Sequence, residues 1–407
     1  MNKQYGLLAL CLVFFLQLSA QGLQPGKWRA VLHRADGHHI PFELDIQQQQ
    51  QQYTVFIVNG KERVNAGKAS LRQDSLIFSL PVFESDFKAR IISRDSISGV
   101  WISGGPNGDV LLPFTAVAGQ ARFRAAAASK PAAIQGKWRF TFTRANQTKR
   151  QAIGQFAQQG AAVSGSVLTP AADYRYLNGI ITNDSLFLST FDGAHAILLA
   201  ARLHPDSLNG VYYAGTAATE RWTAVKTDSV TLTAAVTKVK EGSDGKVDFN
   251  FRDLDGHPVS LQSERYKGKV VILQLMGSWC PNCMDETAFL SEYYAKNKQR
   301  GVEIIALAYE QSTDSIRSHN SLRKFQTRFN VQYPMLNTGV AVGDPQRTEK
   351  TLPQLTEIKV FPTSVILDKN GVVREVETTF YGPGAGEYHQ RFKAKFEKTV
   401  DELLEEQ

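Results

Sequence analysis

The strongest constraint on how this chain folds is that much of its first half is written twice. "GKWRAVLHRADG", starting at Gly26, returns as "GKWRFTFTRANQ" at Gly136, 110 positions on. "QDSLIFSL" at Gln73 returns as "NDSLFLST" at Asn183, "RDSISGVW" around Asp95 as "HPDSLNGVYY" around Asp206, and "PFTAV" as "RWTAV". Four blocks in one order define a duplicated module. Within each copy, apolar and polar residues alternate over short runs such as "WRAVLH", "YTVFIV" and "SLIFSL", punctuated by Asp, Asn, Gly and Ser. Period-two alternation turns one face of each strand inward. Each copy is therefore expected to be an all-β meander, barrel or sandwich. The Asp-Ser-Leu/Ile blocks predict turns entering strands, with the Asp side chain bonding turn backbone.

At 407 residues the chain exceeds one ordinary core. The expected division is a signal peptide at 1–20, β copies at 21–124 and 134–228, a linker at 229–246, and a different domain at 247–407. The opening "MNKQYGLLALCLVFFLQLSAQG" has Lys3 in a polar head, an apolar run from Gly6 to Leu16, and small residues up to Ala20. That is the layout of a secretory signal, cleaved after Ala20. A retained anchor is the alternative, although a span needs about twenty apolar residues. Leu10, where a small residue would be required, argues against lipidation at Cys11. The expected location is the periplasm or cell envelope of a bacterium, with membrane proximity open. The net charge of +7 is dispersed, with no basic run or aromatic-basic motif, so no nucleic-acid partner is expected. "QQQQQQ" at 47–52 reads as a hairpin loop or polar strand edge, and "AAAASKPAA" at 125–133 as a linker. His38-His39 has no acidic or cysteine partner in view and reads as a surface turn, so no metal site is expected.

From Val247 the pattern changes. "VDFNFRDLDGHPVSL" predicts a hairpin at Asp255-Gly256, and "GKVVILQLM" a strand buried on both faces. A helix over 281–297, a strand in "VEIIALAYE" and a helix over 314–329 follow. An extra loop and helix are expected within 338–358, then a hairpin turning at Lys369-Asn370-Gly371 and a charged helix over 385–405. "GPGAG" at 382–386 reads as the turn before that helix. Strands alternating with helices predict a mixed α/β sheet.

That frame gives meaning to "QLMGSWCPNCMDETAFL", residues 274–290. Two cysteines spaced this way could be a redox pair, half a metal site or a staple. Signal cleavage would leave Cys280 and Cys283 as the only cysteines, and a zinc site needs four ligands. A redox pair is the reading that remains. Cys280 sits where the buried strand ends and a helix begins, so unpaired N–H groups and the helix dipole favour its thiolate. Pro281 suits a first-turn position, and Cys283 falls one turn later as the more buried partner. Cys280 is thus the expected nucleophile and Cys283 the resolving thiol. Trp279 is expected to shield the pair and shape the docking surface.

"GKVVILQLMGSWCPNC", Glu286, "VFPTSVILDKNG" and the closing hairpin and helix carry a resemblance. Residues 247–407 resemble the thioredoxin-fold domain of TlpA/ResA-like thiol–disulfide oxidoreductases. The resemblance implies a redox-active Cys280–Cys283 disulfide with no other cofactor, disulfide-containing protein substrates and an upstream thiol reductant. It makes Pro362 a cis-proline facing the dithiol and leaves the backbone of Phe361 to pair with a substrate strand. It gives Glu286 the role of accepting or relaying the proton of the second cysteine. Three departures bear on redox tuning or helix geometry. Gln274 stands where thioredoxin has a buried aspartate, Pro281-Asn282 is an uncommon dipeptide, and Ala288 replaces a proline. Two other functions compete. One is a binding protein whose β modules take a ligand or partner, with the dithiol as a switch. The other is a thiol peroxidase, for which the needed Pro and Thr before Cys280 are absent. The partner of the β modules is not legible.

Overall fold

The computed structural model of the chain describes residues 22–124, 131–229, 232 and 237–406. The segment read as a signal peptide, with Cys11, and part of the Ala-rich linker lie outside the described residues.

Both copies close into eight-stranded antiparallel barrels. The first runs from Gly26–His33 to Val110–Ala118, and these two strands pair to shut the ring. The second runs from Gly136–Thr143 to Ala218–Lys226 and closes in the same way. Closure removes the exposed edges that an open meander would leave. The alternation is read out directly, with Trp28, Ala30 and Leu32 inward in one barrel and Trp138, Phe140 and Phe142 in the other. Even the tryptophan anchor is duplicated: Trp28 Nε1 donates to Gln24 O at 2.9 Å and Trp138 Nε1 to Ile134 O at 2.8 Å.

Two local readings change. The Asp-Ser turns do not use the Asp side chain on turn backbone. Asp74 accepts from the Ser75 hydroxyl and from Arg90, and Asp184 from the Ser185 hydroxyl and Arg202. The preceding Gln73 and Asn183 adopt left-handed conformations, at φ 55° and 53°, which makes the turn by itself. The second change concerns His38: it lies in a turn, but its ring stacks on Tyr213 of the other barrel at 4.1 Å. The glutamine tract ends one strand, makes the turn at residues 50–51 and starts the next strand.

The barrels interlock through Phe191. This residue belongs to the second barrel, yet its fully buried ring lies 4.5 Å from Phe42, 5.1 Å from Trp101 and 5.7 Å from Phe87 of the first. The Asn59 side chain donates to Phe191 O at 2.8 Å and accepts from Phe191 N at 3.3 Å. Removing such a ring leaves a cavity, so Phe191→Ala should destabilise the chain by about 3–5 kcal/mol in urea denaturation. An unchanged midpoint would show that the contact between the barrels carries no stability.

The C-terminal domain is a five-stranded sheet in the order Met335–Asn337, Val302–Ala308, Val270–Met276, Thr363–Leu367, Val373–Glu377. Its first two pairings are parallel and its last two antiparallel. Helices α1 (Pro281–Asn297), α2 (Ser315–Arg328), α3 (Arg347–Thr351) and α4 (Glu387–Glu405) complete it. This is the thioredoxin-like α/β arrangement, and α1 runs unbroken past Ala288. Val270, Ile272 and Met276 pack in one cluster with Phe289, Phe325 and Phe396 from α1, α2 and α4. The alternate residues Val271, Leu273 and Leu275 pack with Phe249, Leu352, Leu355 and Ile358. Burial of both faces accounts for the continuous apolar run. The 338–358 excursion thus gives apolar residues to the core behind the sheet.

The stretch read as a linker is not free along its length. Thr237 Oγ1 donates to Glu357 O at 2.6 Å, Lys240 N to Gln354 O at 2.8 Å, and Val373 N to Gly245 O at 2.8 Å. These groups find partners that a polar, Gly-rich composition does not announce. Among the described residues, no helix is long and apolar enough to cross a membrane.

Candidate active site

The strand Val270–Met276 delivers the chain to Cys280, which caps α1 with extended backbone at φ −101° and ψ 113°. Its Sγ accepts from Cys283 N at 3.2 Å, an interaction that would hold a thiolate as well as it holds this sulfur. Pro281 is the first helical residue, where its missing N–H leaves nothing unpaired. The two cysteines form a disulfide with Cα atoms 5.2 Å apart. Cys283 is fully buried and Cys280 is 5% exposed, so only the first offers any surface.

A second segment faces the pair. The Phe361–Pro362 peptide bond is cis, and the Phe361 carbonyl oxygen lies 3.8 Å from Cys280 Sγ. Trp279 donates from Nε1 to Tyr309 O at 2.8 Å and meets the Phe361 ring edge-on at 6.1 Å. Trp279, Cys280, Phe361 and Pro362 are therefore brought together from two distant stretches of chain.

Beneath them lies a buried polar network. Gln274 occupies a register position inside the central strand and is fully buried. Its Nε2 donates to Glu286 Oε2 and to Thr287 Oγ1, both at 2.9 Å, while Tyr333 OH donates to its Oε1 at 3.3 Å. Ser364 Oγ donates to the other Glu286 oxygen at 3.0 Å. Burial pushes the Glu286 carboxyl up to about 7, against the pull of the Gln274 and Ser364 hydrogen bonds. The glutamine is thus no vacant base site. It positions a carboxyl that sits one helical turn beyond Cys283 and titrates near neutrality.

Three polar residues near the site escape a reading of the C-terminal motif. Glu310, buried at the end of a sheet strand, accepts from Ser278 N at 2.8 Å and Ser278 Oγ at 2.6 Å. The other two come from the second barrel. Arg175 donates to Pro281 O at 2.9 Å and pairs with Asp285 of α1 and Glu62 of the first barrel. Asp173 O accepts from Asn282 Nδ2 at 3.3 Å. These contacts lie over Pro281 and Asn282, which are both buried. One signal could have pointed here: the two copies diverge between their matched blocks. At the 110-residue offset, TPAADYRY at 169–176 shares no residue with NGKERVNA at 59–66.

Known proteins match the same part of the chain. The AhpC/TSA family matches residues 244–376 and stops short of both barrels. The thiol-disulfide oxidoreductase ResA of Bacillus thuringiensis subsp. konkukian is 32% identical over 145 residues, 35% of this chain and 73% of that protein. The chain belongs to the ResA thiol-disulfide oxidoreductase family. ResA of Geobacillus kaustophilus is likewise 32% identical, over 131 residues, covering 32% of this chain and 66% of that protein. Among solved structures, a thiol:disulfide interchange protein of the thioredoxin family from Chlorobium tepidum covers 39% of this chain and 95% of its own, at 22% identity and a TM-score of 0.30. A DsbF homologue from Corynebacterium diphtheriae covers 39% and 92%, at 21% identity and a TM-score of 0.29. As in the ResA family, the redox centre here is a cysteine pair, the Cys280–Cys283 disulfide.

Proposed function

We propose that this protein is an exported reductase of protein disulfides, with Cys280 as nucleophile, Cys283 as resolving thiol and Glu286 as the acceptor of the Cys283 proton. The observation that carries the reading is Cys280 at the start of α1, its Sγ held by Cys283 N and turned toward the Phe361 carbonyl. Donors from the first helical turn stabilise negative charge on that sulfur, and Cys283 has no such position.

In the reduced enzyme the Cys280 thiolate attacks one sulfur of a substrate disulfide. The S–S bond breaks, a mixed disulfide forms, and the departing substrate thiolate takes a proton. Cys283 then loses its proton toward Glu286 and attacks Cys280 Sγ, releasing the second substrate thiolate. The substrate gains two electrons, the enzyme pair is oxidised, and an upstream dithiol must return it to the reduced state. Trp279 and the Phe361–Pro362 backbone hold the substrate strand beside Cys280, while Pro281, Asn282 and Gln274 tune the pair. Residues 1–20, with their signal layout, support an envelope location of this chemistry.

The test is reduction of a short disulfide-bridged peptide by the full chain with dithiothreitol as electron source. Turnover well above the dithiothreitol background supports the reading, and none above it refutes it. A redox titration of the pair then sets the direction: a potential near about −270 mV fits a reductase and one near about −120 mV an oxidant.

A further inference from the structure

We infer that the second barrel decides which substrates reach the dithiol. Its 169–176 loop closes one flank of the redox centre, and the flank at Trp279 is left for an extended cysteine-bearing segment of polypeptide. The inference rests on the oxidoreductase reading and adds the substrate's shape to it.

The loop adds no residues to the barrel: at the 110-residue offset, residues 169–176 match residues 59–66, but 172–176 leave the strand that 62–66 join in the first barrel. This stretch is bound to the redox domain along its length. Tyr381 OH donates to Thr169 O at 2.9 Å, Thr379 Oγ1 to Pro170 O at 2.8 Å, and Phe380 N to Ala171 O at 3.1 Å. Gly382 N donates to Asp173 Oδ2 at 2.6 Å, and Asn282 and Arg175 complete the seam at the CPNC turn. The approach is so close that a Cβ added to Gly384 would lie 2.8 Å from Arg175 backbone. Arg175 is 3% exposed and pairs with carboxylates of all three domains: Glu62, Asp192 and Asp285. Backbone groups at Pro281 and Phe380 that an incoming protein surface could use are already occupied.

What stays open is a cleft of about 280 Å³ where the three domains meet, lined by Phe83, Glu84, His195, Trp279, Glu310 and Arg317 among others. Both barrels and the redox domain contribute walls. Its lining is polar as well as apolar, with Glu84 paired to Arg317 and Glu310 held by Ser278. A space of this size admits a few residues of extended chain beside Trp279 and excludes a globular face.

The decisive measurement is labelling of reduced Cys280 in the Cys283→Ser background with N-ethylmaleimide and with a maleimide carrying a long polyethylene glycol chain. Peptide mass spectrometry reads each rate at Cys280, and the ratio of the two rates cancels any change in thiolate fraction. Relative to glutathione, the ratio should fall by about tenfold in the native chain, because the bulky reagent must wait for the loop to open. Replacing residues 169–176 by the matched residues 59–66 of the first barrel, Asn-Gly-Lys-Glu-Arg-Val-Asn-Ala, should restore it. A ratio equal to that of glutathione in the native chain, or one unmoved by the replacement, overturns the inference. If the exchanged chain does not fold, Asp173→Ala takes its place, since it removes the acceptor for both Gly382 N and Arg175 N. It should raise the ratio by roughly threefold, and an unchanged ratio again overturns the inference. In turnover, the peptide should exceed native insulin in the intact chain, and the margin should narrow in the loop variant; equal margins count against the inference. Labelling needs no catalysis, so failure to reduce the peptide refutes the oxidoreductase reading while leaving this test intact.

Discussion

Cys280→Ser should abolish disulfide exchange, with turnover of a disulfide-bridged peptide falling to the uncatalysed background. Cys283→Ser should behave differently. Its first half-reaction survives, and a mixed disulfide with the substrate accumulates on Cys280, visible by non-reducing electrophoresis and mass spectrometry. The asymmetry follows from the start of α1. Cys280 Sγ receives the N–H of Cys283 and keeps some exposure, whereas Cys283 is sealed inside. A thiolate stabilised by that donor and by the helix dipole attacks first, and only the second thiol can release the adduct. Trapped adducts on Cys283 in a Cys280→Ser chain, or equal loss in both variants without any adduct, would reverse the assignment of roles.

Glu286→Gln should lower turnover by about 10²-fold and remove an inflection near neutrality from its pH profile. Burial holds this carboxyl at about 7, so around neutral pH it can both take and return the proton of Cys283. The glutamine preserves the hydrogen-bonded shape with Gln274 and Ser364 but cannot titrate. The same residue leaves a mark on stability. Its folded value is raised from the ordinary 4.5, so the folded state binds the extra proton. That contribution is complete below pH 4.5 and is lost as pH rises through about 7. Unfolding free energy in urea should therefore decline less over this window in Glu286→Gln than in the native chain. A wild-type pH profile in the variant would show that another group carries the proton.

How much of this is legible without coordinates depends on how local the physics is. The 110-residue repeat and its period-two alternation are enough for two all-β modules, because each strand's burial pattern is written in neighbouring residues. They cannot choose between barrel, meander and sandwich, since closure depends on the pairing of Trp28 with Ala118 and of Arg221 with Thr143 across each whole copy. The WCPNC stretch after an apolar strand places Cys280 at a helix start for the same local reason, and the downstream Phe361-Pro362 came from family resemblance alone.

Gln274 marks the boundary between the two kinds of knowledge. By residue type it can only be called non-ionisable. Its work, donating to Glu286 and Thr287 across 12 and 13 positions, exists only once the strand and α1 are packed. Phe191 and Arg175 lie further beyond that boundary. Nothing in their own neighbourhoods announces that one fills the other barrel or that the other grips Pro281 over 106 positions. Sequence periodicity records which face of an element is apolar, and so it determined the modules, the sheet and the position of the dithiol. Contacts between finished domains rest on single polar or aromatic side chains in loops or at strand ends, such as Arg175 and Phe191, where no period marks them. Only the tertiary structure could decide that the β modules and the redox centre meet in one site.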